Sequence, residues 1–375
     1  MQYLRNHKKI MLIITENCNL RCTYCYEQNK RKSTMDFETA KNILDGSFHS
    51  MEGYDSMVIE LHGGEPFINF WLIKEIDEYV MNTYSDYPLL FRIITNGTMV
   101  HGEIQEWLLE RKDRYEVMLS LDGEKAIHDR NRQYLDGRGS FDSIDLDFFR
   151  KTWPRCPVSM TVNEENMSFL AEETMWMESM GFDCLNAFVW ASDWNAEKTL
   201  PILRGQLEKL TNYYIKNVDK KPCLLLRYNL PVFYLKFEPG YRYCVDIDDP
   251  LECYDAKGNY APCHGFTEFT MGSSEKAKEF QNLSIRDFDF TEENICKDCQ
   301  LRRMCRICFA ANYMQYGNMQ IQDMAICAFN QMCILYGIKI QRGRLAKKDF
   351  LTEDEQKVWK VAAEIEEYIK GKSLS

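Results

Sequence analysis

Cys18, Cys22 and Cys25 stand in the run CNLRCTYC, a CxxxCxxC spacing. A cubane [4Fe–4S] cluster has four irons, so three closely spaced thiolates can hold three of them and leave the fourth open to a non-protein ligand. A structural zinc site needs four closed ligands, usually from two knuckles, and no further Cys or His occurs in the twenty residues after Cys25. The spacing therefore points to an open cluster. Gly63, Gly64 and Glu65, followed by Pro66, form a second element. Adjacent glycines let a backbone approach a ligand closely, and a carboxylate beside them can steady an ammonium group. Asn96, Ser120 and Asp122 add short polar side chains further on.

These groups need a scaffold, and the chain supplies a regular one. Apolar runs of strand length at 9–15, 57–61, 89–95, 115–121, 157–162 and 184–190 alternate with helical patterns at 34–50, 69–83, 101–111, 141–151, 166–180 and 197–217. Six strands alternating with helices predict an α/β fold with a parallel sheet, in which functional groups gather at the C-terminal ends of the strands. The cysteine loop, HGGEP, TNG and SLDG each sit just past a strand. Periodicity alone does not separate a partial barrel from an open doubly wound sheet.

With its strand in front of it, CNLRCTYC resembles the signature of the radical SAM superfamily. The resemblance implies a partial (β/α)6 TIM-like barrel in which S-adenosylmethionine (SAM) chelates the free iron through its amino and carboxylate groups. It implies that the cluster reduces the sulfonium, releasing methionine and a 5′-deoxyadenosyl radical that abstracts hydrogen from a substrate. By the same resemblance Tyr24 packs near the adenine, and Gly63, Gly64 and Glu65 bind the SAM amino group. Ser120 holds the ribose or carboxylate, with Asp122 nearby and Asn96 at the same rim. Arg132 is a partner for the carboxylate, and Leu185 contacts adenine. Each of these residues also has an ordinary structural reading as a turn, cap or packed side chain.

The composition fits a cytoplasmic enzyme. At 375 residues and 45% hydrophobic content the chain is long enough for one large domain and a smaller one. A net charge of −11 argues against broad nucleic-acid binding. No apolar stretch of about 18 residues suggests a membrane span, and the start MQYLRNHKKI lacks the apolar region of a signal peptide. Fifteen cysteines, an odd number, read in a reducing compartment as metal ligands and buried thiols rather than disulfides.

Nine of those cysteines fall between Cys244 and Cys333, with a hairpin signal in ECYDAKGNYAPC. Cys244, Gly258 with Cys263, the run Cys296, Cys299, Cys305 and Cys308, and then Cys327 resemble the SPASM domain, a C-terminal extension of radical SAM enzymes that modify peptides and proteins. Cys305 and Cys308 are separated by two residues where the family pattern has three. The resemblance implies two auxiliary [4Fe–4S] clusters. One is closed by Cys296, Cys299, Cys305 and Cys327; the other is bound by Cys244, Cys263 and Cys308, with Cys253, Cys333 or a substrate thiolate as its fourth ligand. A zinc ribbon is the competing reading, but such ribbons separate their knuckles by about fifteen residues, whereas five separate Cys299 from Cys305. The expected organisation is a barrel over 1–218, a linker at 219–240, a cysteine-rich domain at 241–335 and a helical tail at 336–375. Thr352 to Glu355 begin a capped, amphipathic closing helix there.

The functional expectation is a maturase that forms a thioether or carbon–carbon crosslink in a ribosomally made peptide. Its partners would be that peptide and an electron donor such as ferredoxin or flavodoxin; since only eight residues precede the first strand, a leader would be read by a separate protein, by a strand edge of this chain, or not at all. An anaerobic sulfatase-maturating enzyme is the alternative. In that family an Asp follows the cysteine of the G-x4-C element, where this chain has His264. A non-catalytic iron–sulfur or zinc protein is a third reading, against which the intact GGEP and the polar rim weigh. His264, Tyr26 and the aromatics of FVWASDW (188–194) could reach a barrel mouth, though packing explains them equally.

Overall fold

A computed structural model of the chain describes residues 6–27, 29–189, 191–228, 230, 251–283, 291 and 294–372. Cys244, Trp190 and the second half of the predicted linker lie outside them. The chain divides into two compact units. The first comprises Met1–Ser159, Met180–Phe182 and Asp249–Ile285, and the second Met160–Ser179, Asp183–Asp248 and Arg286–Ser375.

The first unit is built on parallel strands. β1 (His7–Thr15), α1 (Phe37–His49), β2 (Ser56–Gly63), α2 (Phe70–Thr83), β3 (Leu89–Thr95), α3 (Glu103–Arg111) and β4 (Tyr115–Ser120) follow one another. They are completed by α4 (Lys125–Asn131), α5 (Leu146–Thr152) and β5 (Pro157–Ser159). Each of the five strands pairs in parallel with the next. On the far side of β1 lies the strand Leu251–Tyr254, also parallel, which turns back as Tyr260–Ala261. The hairpin expected in ECYDAKGNYAPC therefore extends the sheet that carries the cysteine loop.

Side-chain alternation decides how this sheet is covered. In β3 and β4 the buried positions are Phe91, Ile93, Thr95, Tyr115, Val117 and Leu119, and their neighbours are half-buried. Trp107 of α3 meets Tyr115 edge-on at 5.0 Å between ring centroids, so the buried face is the one under the helices. α1 starts at the Asp36 cap, whose carboxylate accepts from Thr39 N at 2.8 Å, two residues later than the expected Thr34. α4 lies between the expected strand at 115–121 and the expected helix at 141–151, where the apolar pattern predicts no element.

Asp77 of α2, 3% exposed, knots this layer together. It accepts from Arg111 Nε at 3.0 Å, Arg114 Nη2 at 2.8 Å and the Tyr115 hydroxyl at 3.1 Å. Removing one side of a buried ion pair strands the other, so Asp77→Ala is expected to cost about 3 kcal/mol, toward the lower end of the range because both arginines can reach water. Chemical denaturation measures it.

In the second unit the predicted strands at 157–162 and 184–190 prove to be broken. After β5 the chain resumes as Thr161–Val162, which pairs with Ala187–Phe188 in a sheet of two. Asn186, within the second break, is fully buried and donates to Thr174 Oγ1 at 3.0 Å. The helix Ala196–Lys216 packs on a 22-residue helix, Met324–Leu345, which carries Cys327 and Cys333 and crosses the boundary expected between 335 and 336. Gly343 permits that approach, since a Cβ there would lie 2.5 Å from Ile215 Cδ1. The tail helix is Glu353–Lys372, opened by the reciprocal bonds of a capping box: Thr352 N donates to Glu355 Oε2 at 3.0 Å and Glu355 N to Thr352 Oγ1 at 3.3 Å. Val361, Ala362, Ile365 and Ile369 form its buried stripe. No helix among the described residues is long and apolar enough to cross a membrane.

Candidate active site

The cysteine loop leaves the C-terminal end of β1, the most enclosed strand of the sheet, buried from Lys8 to Thr15. It is tied down along its length by backbone bonds to the segment after α4. Arg21 N donates to Gln133 O at 2.7 Å and Thr23 N to Asn131 O at 2.9 Å. Lys30 Nζ donates to Leu20 O at 2.6 Å. Within the loop, Leu20 N points at Cys18 Sγ at 3.4 Å and Cys25 N at Cys22 O at 3.2 Å. Burial pushes the Cys22 thiol up to about 11 and raises Cys18 and Cys25 too, so a positive metal centre is what would make these sulfurs thiolates. Among the described residues no three His, Cys, Asp or Glu side chains close round a single ion. A cubane asks for no such convergence, because each thiolate binds a different iron.

The two glycines at the end of β2 make their close approach to the chain's own backbone. A Cβ on Gly63, whose φ is +147°, would lie 2.1 Å from Thr15 O, and one on Gly64 would lie 2.3 Å from Asn17 O. Gly64 N donates to Thr15 O and Glu65 N to Asn17 O, both at 2.9 Å. The GGE segment is thus laced to the first residues of the cysteine loop. Glu65 itself is 1% exposed. Its carboxylate accepts from Thr95 Oγ1 at 2.8 Å, Asn96 N at 2.7 Å and Phe67 N at 3.2 Å. Among the described residues it has no cationic partner, and burial pushes its carboxyl up to about 7 against the pull of those three donors.

Asn96 is committed locally: its Nδ2 donates to Asn19 Oδ1 at 2.9 Å and its Oδ1 accepts from Thr98 N at 3.0 Å, which joins β3 to the cysteine loop. Ser120 is half-buried at the end of β4, in register with Ser159. Tyr24, Asp122 and Arg132 form one cluster. The Tyr24 hydroxyl donates to Asp122 Oδ2, Arg132 Nη2 donates to Asp122 Oδ1 at 3.1 Å, and the guanidinium lies 5.4 Å from the Tyr24 ring centroid. Arg132 thus has an internal carboxylate, while its buried Nε has no acceptor among the described residues. Leu185 is half-buried between Asp183–Cys184 and Ala187–Phe188 of the second unit.

Charged residues on the other face of the sheet escaped the sequence reading. Lys9, Glu60, Arg92 and Glu116 run across β1 to β4, linked by Lys9–Glu60 at 3.2 Å, Arg92–Glu60 at 3.8 Å and Arg92–Glu116 at 2.7 Å. Their signal was available: each is a charge at an alternate position of an otherwise apolar strand. Nearer the strand ends, His62 stands 5.3 Å from His264 and Tyr26 stands 5.9 Å from it, ring centroid to ring centroid. Glu27, 5% exposed, accepts from Thr270 Oγ1 at 2.8 Å, and burial raises its carboxyl to about 8.

The later cysteines occupy distinct settings. Cys253 is fully buried in the added strand opposite Ala261, and Cys263 follows that hairpin in the first unit. Cys296, Cys299 and Cys305 flank the short turn Gln300–Arg303 of the second unit. Cys308 caps the helix Phe309–Tyr316, with its Sγ accepting from Ala311 N at 3.4 Å. Cys327 lies in the first turn of Met324–Leu345, and Cys333 is buried further along it.

Residues 8–142 match the family described as a 4Fe-4S single cluster domain. An uncharacterized protein of Methanocaldococcus jannaschii is 31% identical over 57% of this chain and 76% of its own length. The radical SAM cyclopropyl synthase TigE of Paramaledivibacter caminithermalis is 21% identical over 87% of this chain and 73% of its own. Among solved structures, anSMEcpe with bound AdoMet and Cp18Cys peptide superposes with a TM-score of 0.70 at 17% identity, covering 91% of this chain and 100% of that one. The cysteine loop at the end of the first parallel strand, the carboxylate laced beside it and the matched 4Fe-4S domain agree: the chain is a radical SAM superfamily enzyme that resembles the SPASM-domain maturases.

Proposed function

We propose that this enzyme matures a ribosomally made peptide, forming a thioether or carbon–carbon crosslink at an unactivated C–H. The observation that carries the cofactor part of the reading is Glu65, a buried carboxylate without a cation among the described residues, laced to the cysteine loop. An amino acid moiety presents an ammonium to such a carboxylate, and a carboxylate to the unsatisfied Nε of Arg132. Cys18, Cys22 and Cys25 would hold the cluster. When bound, cluster and SAM supply a 5′-deoxyadenosyl radical able to abstract hydrogen. The chain's own residues do the rest: they fix the loop, exclude water from the rim and present a polar inner sheet face to the substrate. Cys296, Cys299, Cys305 and Cys327 would bind one auxiliary cluster and Cys244, Cys263 and Cys308 another, and a ferredoxin- or flavodoxin-like donor would supply electrons. A leader, where the substrate has one, would be read by a separate protein or a strand edge.

TigE, similar over most of the chain, is by its name a radical SAM cyclopropyl synthase, which supports the radical SAM part of this reading. Sulfatase maturation is the second reading, supported by a cysteine-type anaerobic sulfatase-maturating enzyme of Clostridium novyi, 30% identical over 35% of this chain. His264 after Cys263 weighs against it. The test is anaerobic incubation of the reduced, reconstituted enzyme with SAM and short peptides encoded beside its gene. The expected products are 5′-deoxyadenosine and a peptide lighter by two hydrogens with no new aldehyde. SAM cleavage that no peptide stimulates sinks the proposal, and an aldehyde formed on a sulfatase-motif peptide transfers the assignment to the second reading.

A further inference from the structure

Two side chains of the second unit aim donors at cysteine sulfurs without being ligands themselves. The Tyr368 hydroxyl, on the tail helix, donates to Cys299 Sγ at 3.8 Å. Its oxygen accepts from Gln300 N at 3.2 Å, which leaves the hydroxyl hydrogen for the sulfur. Gln331, one turn beyond Cys327 on Met324–Leu345, donates its Nε2–H to Cys327 Sγ at 3.2 Å. Neither placement is loose. The tail helix is fixed at its start by the Thr352–Glu355 box, along its length by Ile365 and Ile369, and across to Met324–Leu345 by Arg342 Nη1, 2.6 Å from Glu366 Oε2. The guanidinium of Arg342 also covers Trp359, 4.8 Å from its ring centroid. Ile365, Tyr368 and Ile369 follow the i, i+3, i+4 rule, so the stripe that packs the helix also turns the hydroxyl inward.

Resting on the auxiliary-cluster reading above, we propose that Tyr368 and Gln331 are positioning residues that raise the reduction potential of the cluster held by Cys296, Cys299, Cys305 and Cys327. One-electron reduction adds negative charge that spreads onto the thiolate sulfurs. A donor already pointed at a sulfur stabilises the reduced state more than the oxidised one. No proton moves, because hydroxyl and amide keep their hydrogens; the electron comes from a ferredoxin- or flavodoxin-class donor, or from dithionite in the test. The closing helix thereby becomes part of the redox apparatus and makes this cluster a better electron acceptor.

The experiment is an EPR-monitored redox titration of the full-length, reconstituted protein in a Cys18, Cys22 and Cys25→Ala background, which leaves only auxiliary signals. Tyr368→Phe keeps the ring and its packing, and Gln331→Leu keeps the bulk. Each is expected to lower the reduced-to-oxidised ratio at fixed poise about tenfold, a shift of about 59 mV to more negative potential for a one-electron couple. The double variant should shift further. Iron and sulfide content equal to the parent's, with ratios unchanged within about twofold, overturns the inference and leaves the cluster reading intact. Loss of iron from Tyr368→Phe would make the hydroxyl a structural requirement and also overturns it. If Cys299→Ala, in the same background, retains all of the parent's iron, the auxiliary-cluster reading itself fails and takes the inference with it.

Discussion

Glu65→Gln is expected to raise the dissociation constant for SAM about 100-fold while the protein still assembles its N-terminal cluster. That factor corresponds to about 2.7 kcal/mol, the scale of one hydrogen bond to a charged group in a dry site. The substitution removes the charge proposed to face the ligand's ammonium and keeps the side chain's length. It also turns an amide nitrogen toward one of three donors, from Phe67, Thr95 and Asn96, so some stability is lost as well. Anaerobic calorimetry or equilibrium dialysis gives the affinity, and iron content with EPR gives the loading. Unchanged affinity would remove Glu65 from the cofactor site.

The wild-type protein offers a second measure of the same charge. Burial lifts the Glu65 carboxyl to about 7, and an ammonium binds its ionised form. Below about pH 7 binding must first expel a proton, so affinity falls toward a tenfold loss per pH unit; above it, affinity levels off. Glu65→Gln should flatten that profile. A profile equally steep in the variant would point to another titrating group.

Gly63→Ala and Gly64→Ala are expected to abolish SAM cleavage, by at least about 100-fold. The added methyl meets Thr15 O at 2.1 Å or Asn17 O at 2.3 Å, and both are backbone atoms already engaged by Gly64 N and Glu65 N. Neither strand end can retreat without breaking the lacing that sets the cysteine loop against Glu65. At Gly63 a φ of +147° adds a conformational penalty for any L side chain. Gly46→Ala is the control: it lies inside α1 with nothing within 4 Å of the added carbon, and it should be neutral or stabilising by about 0.5–1 kcal/mol. Formation of 5′-deoxyadenosine reads the activity and thermal unfolding the stability. Wild-type turnover in Gly64→Ala would show that the lacing is dispensable.

The cysteine triad, the GGE segment and the parallel strands that lead into them were legible from residue types and spacing. The reason is that they are local: a strand announces itself by its apolar run, and a cluster loop by the separation of its thiols along a few residues. The alternating charges Lys9, Glu60, Arg92 and Glu116 were equally present in the sequence, but period-two patterning cannot say whether a charge faces solvent or its neighbours across a sheet. The breaks at 160 and 185–186 were hidden because pairing partners far apart in the chain decide where a strand ends.

By itself, then, the sequence determined the chemistry available: an open cluster site, a carboxylate after paired glycines, and a second cysteine array resembling SPASM. Only the tertiary structure decided what those groups touch. It assigned Asp122, from the end of another strand, to Arg132 and Tyr24, and it spent the glycines' freedom on Thr15 and Asn17. It added the 251–254 strand beside β1 and brought Tyr368 to Cys299 across 69 residues of chain. Such contacts depend on register, helix packing and hydrogen-bond direction, which are properties of the closed fold that no short window of residues contains.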